Sequence, residues 1–556
     1  MHCAGMQWLW KPFPVGSSHS NDPLFERRRT YVSTSSMEQK RRSHRQPLLL
    51  SFARGREGFF SSRPCTTIPA MSTRQIATST LWQLASQVMM AALSILTVKF
   101  VALGLSKELV GNYNSVYGIL QLAGIIADFG LYAVALKELS RTERKQEVLG
   151  ALIVLRLLTL SCAVGGTLLF VWLLPLWKGT PLPLGVTIAS LVPIFTLLAG
   201  IIRSVFQVNY RLHYVFIAEV LQRIITVSLI GLFIVAGIRG SHDLHIYHLF
   251  LFIGGIGAFV LFLVSLAAAD RMVRVRPHWN GMLVRELLRK AAPYGIAFFC
   301  MAFYRQWDVA LIALLRSDYE LQNAYYGFVA RMADMGFIIP TFLLNSTLPI
   351  LSERDARGED MNSLLSKTLL MLLSLGSISL LFCVLWSRPL ILLLTTPAYL
   401  STPLRAGSDT ALELIGFPIF LNGLVLFGFY TLLTRGVWKR LVLSLLLGVA
   451  LSLALNLWLI PLYGFVGAAW TSIAVHVLLA VLLTAEAWRV LPFRLPMSYM
   501  LRWFFFSVFL GISLWWSAPL LTTEIRTVVG LALSGIFLLF LAWGTGLIRA
   551  VWIRNT

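Results

Sequence analysis

Charged and titratable side chains lie inside long apolar runs of this sequence. At the centre of a bilayer each charge costs roughly 2.5–3.5 kcal/mol or more, so each needs a partner or a cavity. The set comprises Asp128, Arg156, Glu219, Arg223, Arg305, Asp308, Arg331, Asp334, Glu413, His476 and Glu486. Arginine offers a planar fork of donors that suits phosphate oxygens, and a nearby carboxylate can bind Na⁺ or H⁺. These residue types therefore favour the binding of an anion together with a coupling cation.

Seven residues of this set are candidates for a binding site. The candidates for binding a diphosphate are Arg305, Arg331 and Arg156, and those for ion coupling are Asp308, Asp334, Glu219 and Asp128. Arg305 and Asp308 are three residues apart, as are Arg331 and Asp334, while Glu219 and Arg223 are four apart. Side chains at these spacings share one face of a continuous helix. The alternative is that each pair only neutralises itself within a packed bundle.

Composition indicates the elements that must position these residues. Hydrophobic residues make up 57% of the 556 residues, charged residues make up 13%, and the mean hydropathy is +0.74. A soluble domain carries about 25% charged residues. The sequence contains about 14 apolar runs of roughly 20 residues, each long enough to cross a bilayer as a helix. We therefore predict an all-α polytopic membrane protein with about 14 transmembrane helices.

The net charge of +22 reflects membrane topology rather than nucleic-acid binding. The basic residues lie in short segments between apolar runs and concentrate in alternate loops, as the positive-inside rule requires. Lys137 and Arg141 lie in one such loop, and Arg271, Arg285 and Arg289 lie in another. This bias predicts a multi-pass protein with both termini in the cytoplasm.

The chain divides into an extension, two lobes and a C-terminal pair of helices. Residues 1–70 are rich in Arg, Ser and Pro, which predicts a disordered basic extension, and we expect translation to begin at Met71. A faint repeat relates 192–195 to 417–420, and Asp128-Phe-Gly to Asp334-Met-Gly. It predicts an N-terminal lobe of helices 1–6 at 71–289 and a C-terminal lobe of helices 7–12 at 290–490. Helices 13 and 14 would occupy 491–556.

No motif of a soluble enzyme occurs in the sequence. A phosphate-binding loop, a dinucleotide fingerprint, a nucleophile elbow and zinc-type spacing of the five cysteines are all missing. We therefore expect neither a metal nor a cofactor, and a transporter rather than an enzyme. Without an ATP-binding module, active transport would use an ion gradient or the substrate gradient.

A resemblance to a known family is carried by residues 456–469, Asn-Leu-Trp-Leu-Ile-Pro-Leu-Tyr-Gly-Phe-Val-Gly-Ala-Ala. This stretch resembles the turn between the eleventh and twelfth helices of the Wzx-type oligosaccharide flippases of the MOP superfamily. The segments that also match are Gly111-Asn-Tyr, Asp128-Phe-Gly, residues 206–211, Arg305 with Asp308, and Thr347-Leu-Pro. The resemblance covers about 75 to 550.

The resemblance implies two six-helix lobes around a cavity that opens alternately to each side. It also implies a polyprenyl-diphosphate-linked oligosaccharide as cargo, coupling to an ion gradient, and Arg305 as a diphosphate ligand. The location would be the bacterial cytoplasmic (inner) membrane, with O-antigen or capsule as the product. The implied partners are the lipid-linked oligosaccharide, membrane lipids and a polysaccharide polymerase, with no nucleic acid.

Other functions are left open by the sequence. A MATE-like exporter of small cations would need a cavity dominated by carboxylates, whereas arginines are at least as numerous in these spans. A membrane glycosyltransferase or polymerase would need large polar loops, and the loops after residue 75 are short. A non-catalytic scaffold would leave the charges within the apolar runs without an explanation.

Overall fold

Helices make up almost all of the described chain. The computed structural model describes residues 73–552, and within that range it has no β-strand, only isolated bridges. In chain order the α-helices are α1 (Thr73–Gly104), α2 (Lys107–Asp128), α3 (Leu131–Arg141), α4 (Lys145–Leu173), α5 (Leu182–Ala189), α6 (Leu191–Val208), α7 (His213–Val235), α8 (Leu244–Asp270), α9 (Gly281–Gln306), α10 (Asp308–Leu315), α11 (Tyr319–Arg357), α12 (Asn362–Leu385), α13 (Ser387–Leu394), α14 (Ser408–Thr434), α15 (Trp438–Tyr463), α16 (Phe465–Val490), α17 (Met497–Ser517), α18 (Glu524–Gly544) and α19 (Leu547–Trp552). The extension at 1–70 and the start at Met71 lie outside the described residues.

In the described residues, 12 helical segments are long and apolar enough to cross a membrane. Two of them join consecutive helices, since Lys107–Arg141 contains α2 and α3, and Leu182–Val208 contains α5 and α6. The predicted first span corresponds to α1, which contains a shorter apolar stretch at Met89–Gly104. The predicted seventh span corresponds to α9 and α10, and the first half of α9 carries several charges. The all-α membrane fold is confirmed, and the predicted count of about 14 is approximate.

The second membrane segment is broken between α2 and α3. Phe129 and Gly130 lie at the break, with φ values of 35° and 70°. Glycine adopts a positive φ without steric cost, whereas for Phe129 the same conformation is strained. Such a break exposes the last carbonyl groups of α2, which then need donors from elsewhere.

Two later segments are also broken. Trp307 separates α9 from α10, and Trp386 separates α12 from α13. Pro389 lies three residues after the break at Trp386, in the first turn of α13, where proline is tolerated. The break at Trp307 lies in the middle of the seventh predicted span.

The helices α2 and α11 run side by side from one end of the bundle, and polar groups join them there. We call Asn112, Asn114 and Asn323 the asparagine seal. The Asn112 side chain donates to Glu320 Oε1 at 2.8 Å, and Asn114 donates to the Asn323 carbonyl at 2.9 Å. Asn323 in turn donates to Ser115 Oγ at 2.8 Å. The three side chains are buried, and their amide nitrogens join α2 to α11 at this end, while the Oδ1 atoms of Asn114 and Asn323 have no hydrogen-bond partner.

Substitution of Gly111 by valine is expected to open the sealed end. A Cβ at Gly111 would overlap the Glu320 carbonyl, so α2 and α11 would have to separate. We expect a cysteine at Ala324, which is fully buried beside the seal, to react at least about tenfold faster with a membrane-impermeant maleimide in a cysteine-free background. The matched control is Gly124→Val in the same helix, where an added Cβ meets no atom within 4 Å. Equal labelling of the two valine variants would contradict this prediction.

Of the C-terminal helices, α17 packs on α12, α18 packs on α13 and α17, and a lysine links α18 to α1. The Trp386 indole donates to the Leu514 carbonyl of α17 at 2.9 Å. Lys99 Nζ of α1 forms an ion pair with Glu524 Oε1 of α18 at 2.7 Å. The same ammonium group donates to the Leu392 and Thr395 carbonyls at the end of α13, at 3.1 and 2.8 Å. We call this arrangement the Lys99 brace, and it joins helices from both halves of the chain.

Candidate substrate cavity

A cavity of about 780 Å³ lies between α1, α2, α6, α7, α9 and α11. It extends along α2 from Tyr113, beside the asparagine seal, to the break at Gly130. Its wall is mostly apolar, and the charged residues in it are Asp128, Arg223, Arg305, Arg331 and Asp334. A much smaller pocket of about 40 Å³ adjoins it and reaches Asp308. Four of the seven predicted site residues thus line the cavity, and Asp308 borders it.

Arg305 is paired with Asp334 across two helices. Its Nη2 lies 3.7 Å from Asp334 Oδ1, and its guanidinium carbon lies 4.4 Å from the centre of the Phe337 ring. Gln121 and Gln306 also donate to the Asp334 carboxylate, both at 3.3 Å. The buried Nε of Arg305 has no hydrogen-bond partner. The charge of Arg305 is therefore partly balanced, while one donor remains free.

Arg331 lies on aromatic rings instead of pairing with a carboxylate. Its guanidinium carbon is 5.3 Å from the Tyr113 ring centre and 5.0 Å from the Tyr117 ring centre. Contact with aromatic faces orients a guanidinium group and leaves its hydrogen-bond donors available. The Nη2 atom of Arg331 is buried without a hydrogen-bond partner.

Arg223 also lines the cavity, and it was not among the predicted site residues. Its spacing suggested a pair with Glu219, but Glu219 Oε1 instead accepts from Arg203 Nη1 of α6 at 2.7 Å. The Arg223 Nε is buried without a hydrogen-bond partner. Glu219 itself is not part of the cavity wall. The i, i+4 spacing was the available signal, and sequence alone does not reveal that α6 also brings Arg203 to Glu219.

Arg156 and Asp128 form an ion pair at the α2–α3 break. Arg156 Nη2 donates to Asp128 Oδ1 at 2.6 Å, and Nη1 donates to the Ala127 carbonyl at 3.0 Å. The Arg156 side chain is 1% exposed, whereas that of Asp128 is 39% exposed toward the cavity. Arg156 thus lies outside the cavity wall and supplies a donor that the broken end of α2 requires. Both of its terminal nitrogens are engaged.

Asp308 is buried among neutral donors. Its Oδ2 accepts from the Tyr326 hydroxyl at 3.0 Å, and its Oδ1 accepts from Asn456 Nδ2 at 3.2 Å. Asn456 also contacts Ser452 Oγ, which accepts from the Trp307 indole at 3.0 Å. Asp308 and Arg305 do not pair with each other, since Arg305 pairs with Asp334, but both line the smaller pocket. A buried carboxylate held by neutral donors is suited to exchanging a proton or a small cation.

The sequence matches the family described as polysaccharide biosynthesis protein over residues 76–354. A comparison with curated proteins gave no match. The structure is similar to the lipid II flippase MurJ in an inward closed conformation, with 14% identity, 86% of this chain and 100% of MurJ covered, and a TM-score of 0.65. It is also similar to an inward-facing multidrug resistance MATE family transporter of the MOP superfamily, with 12% identity, 74% and 98% coverage, and a TM-score of 0.54.

These similarities agree with the prediction of a MOP-type fold. At such low identity the solved structures show the fold alone, and the family match comes from the sequence itself. That match spans residues 76–354 of 556, which is half of the chain. This chain therefore belongs to the polysaccharide biosynthesis protein family and has the fold of the MOP superfamily.

Proposed function

We propose that this protein is a flippase that moves a polyprenyl-diphosphate-linked oligosaccharide across a membrane by alternating access. The observation that carries the proposal is the excess of arginine in the cavity wall. Among the described residues of the wall, Arg223, Arg305 and Arg331 stand against two carboxylates, Asp334 and Asp128, and Asp128 is already paired with Arg156. Buried guanidinium groups without carboxylate partners are costly unless an anion binds there. The family supplies the class of anion, an intermediate of polysaccharide biosynthesis.

The setting that this function requires is the bacterial cytoplasmic membrane, with both termini in the cytoplasm. The positive-inside distribution of loop arginines and lysines supports this orientation. The sealed end would then face away from the cytoplasm, so that the cavity takes up cargo made in the cytoplasm. A polysaccharide polymerase would receive the released cargo and is the partner class that O-antigen or capsule assembly needs.

Reconstitution tests the proposal directly. The purified chain is placed in liposomes that contain a fluorescent polyprenyl-diphosphate oligosaccharide on both leaflets. Cleavage by a membrane-impermeant glycosidase outside should rise from about half of the label to nearly all of it when flipping occurs. Liposomes without protein provide the baseline. Cleavage that stays at the baseline, with the protein shown to be folded, would refute the proposal.

The same liposomes separate the proposal from cation export. A MATE-like exporter would accumulate a fluorescent organic cation under a sodium or proton gradient. The positive cavity wall disfavours such a cargo through charge repulsion. Cation accumulation without movement of the lipid-linked oligosaccharide would favour the exporter instead.

For ion coupling we propose Asp308 and Asp334, of which Asp308 is the more isolated from basic groups. The Asp308→Asn variant keeps the size and the polar character of the side chain but removes its negative charge. We expect gradient-driven flipping to fall at least about tenfold while flipping without a gradient persists. The matched control is Asp243→Asn in an exposed helix cap, where asparagine caps equally well. Unchanged gradient-driven flipping in Asp308→Asn would exclude this role.

A further inference from the structure

We propose that the connection between α8 and α9, together with the first turns of α9, binds the anionic phospholipid headgroups of the membrane. The basic residues of this surface are all exposed, and they are Arg271, Arg274, Arg276, Arg285 and Arg289. We call these arginines, together with Trp279 and Met282, the α9 surface. The inference is independent of the cargo, because none of these residues lines the cavity.

The connection between α8 and α9 alternates between inward and outward side chains. Val273 and Val275 pack against the apolar core that α3 and α4 form with the start of α9. Arg274 and Arg276 are exposed. Such alternation is typical of an extended chain with one buried side. The valines therefore anchor the connection, and the arginines point outward.

Backbone contacts hold the same connection against α4. The Val275 N–H donates to Asp270 Oδ1 at the end of α8, at 2.9 Å. A Cβ at Gly150 of α4 would lie 2.6 Å from the Arg276 carbonyl oxygen, so only glycine permits this close approach. The connection thus has a fixed place on the molecule, and its arginines are presented on a formed surface.

The first turns of α9 continue the surface. Val284 and Leu287 are buried in the same apolar core as the valines of the connection. Met282, Arg285 and Arg289 are exposed. Their spacings of three and four residues place them on one face of the helix. An apolar side chain and two arginines therefore face outward together.

The carboxylates of this segment have other partners. Residues 270–290 contain two of them, Asp270 and Glu286. Glu286 forms an ion pair with Lys290 at 2.8 Å, and Asp270 accepts from the Val275 N–H. Among the described residues, neither carboxylate forms an ion pair with an arginine of the α9 surface. A cluster of unpaired arginines beside a membrane span attracts anionic headgroups.

The position of the α9 surface favours a bilayer over a soluble acidic partner. The membrane segment α8 ends at Asp270, and α9 rises only about 15 Å from its start to Lys290, where the seventh predicted span begins. Trp279 is 67% exposed and Met282 is 84% exposed. Tryptophan favours the headgroup region of a membrane. The arginines and these two side chains therefore suit the interface of an anionic leaflet.

The test places a fluorophore on the α9 surface and asks which lipid quenches it. A nitrobenzoxadiazole group is attached at Met282→Cys in a cysteine-free full-length chain. The nanodiscs contain phosphatidylcholine with a small fraction of spin-labelled phosphatidylglycerol or of spin-labelled phosphatidylcholine. We expect phosphatidylglycerol to quench at least about fivefold more strongly, since one arginine near an anionic headgroup strengthens binding by about that factor.

A pair of double variants assigns the effect to the arginines. Arg285→Gln with Arg289→Gln should bring the quenching by the two lipids close to equality. The matched control is Lys439→Gln with Arg494→Gln, which removes two exposed charges elsewhere in the chain and should keep the preference. An equal preference in the arginine variant and in the wild type would overturn the inference.

The wild type alone provides two further decisive outcomes. Equal quenching by both lipids would show that the α9 surface does not select anionic headgroups. Quenching by neither lipid would show that the surface faces away from the bilayer, and it would favour a soluble acidic partner. Either result overturns the inference without bearing on transport.

Thermal unfolding of the unlabelled chain in detergent gives a second measurement. Added phosphatidylglycerol should raise the Tm more than phosphatidylcholine does, because a ligand that binds the folded state stabilises it. The Arg285→Gln, Arg289→Gln variant should lose most of this rise, and the Lys439→Gln, Arg494→Gln variant should keep it. The same rise in both double variants would contradict the inference.

Discussion

The Arg331→Gln variant is expected to flip cargo about 10- to 100-fold more slowly than the wild type while being equally or more stable. A charge-assisted hydrogen bond contributes about 1.5–3 kcal/mol, which is lost from cargo binding in this variant. The free energy of unfolding should not fall in this variant. The guanidinium group lies on the Tyr113 and Tyr117 rings, and its buried Nη2 has no hydrogen-bond partner. A buried charge with an unpaired donor destabilises the fold, so its removal should not be costly. The flipping assay and thermal unfolding in detergent measure the two effects.

A loss of flipping without a loss of stability distinguishes a residue that binds cargo from one that supports the fold. Arg331→Lys keeps the charge but loses the planar fork, so it should flip cargo at an intermediate rate. The exposed Lys178→Gln variant controls for a general loss of positive charge. A marked drop in thermal stability of Arg331→Gln, or flipping at the wild-type rate, would show that the residue is not a cargo ligand.

Loss of either member of the Arg156–Asp128 pair is expected to destabilise the fold, with the larger effect for Asp128→Asn. Breaking a buried ion pair by removing one partner costs about 3–5 kcal/mol. Asp128→Asn leaves an arginine that is 1% exposed and always charged, whereas Arg156→Gln leaves a carboxylate that is 39% exposed to the cavity. Arg156→Gln also weakens the bond to the Ala127 carbonyl at the end of α2. Urea unfolding of both variants provides the comparison.

A double variant checks that the pair acts as a unit. Arg156→Leu with Asp128→Asn removes both charges, so it should be more stable than Asp128→Asn alone by at least about 1 kcal/mol. If the double variant were less stable than either single variant, Arg156 would act through packing and not through its charge. Arg156 is thus expected to act on the stability of the fold, whereas Arg331 is expected to act on cargo.

The sequence predicted the elements well because membrane helices have a strong local signal. An apolar run of bilayer length must form a helix, since no water is present to satisfy an open backbone. The charges in the runs also pointed to a cavity, because arginine and aspartate at such depth need a polar surrounding. Asp334 and Arg331 accordingly lie in one cavity wall, although the partners of each residue were not predictable.

The pairings failed for a physical reason, which is that spacing rules assume one continuous helix and no competing neighbour. Arg305 is in the last turn of α9 and Asp308 begins α10, with Trp307 between them. Arg305 instead reaches Asp334 on another helix. Glu219 pairs with Arg203 of α6, and Arg223 lies in the cavity wall. Contacts between different helices decide which residues pair, and these contacts cannot be read from a single sequence.

The Lys99 brace links α18, near the C-terminal end of the chain, to the first helix. One ammonium group holds the end of α13 through two carbonyls and α18 through Glu524, while its own backbone belongs to α1. A movement of α1 relative to α13 and α18 would have to break the ion pair and the two hydrogen bonds of Lys99, or carry those helices with it. The helices at the C-terminal end are thus coupled to the first helix through one side chain.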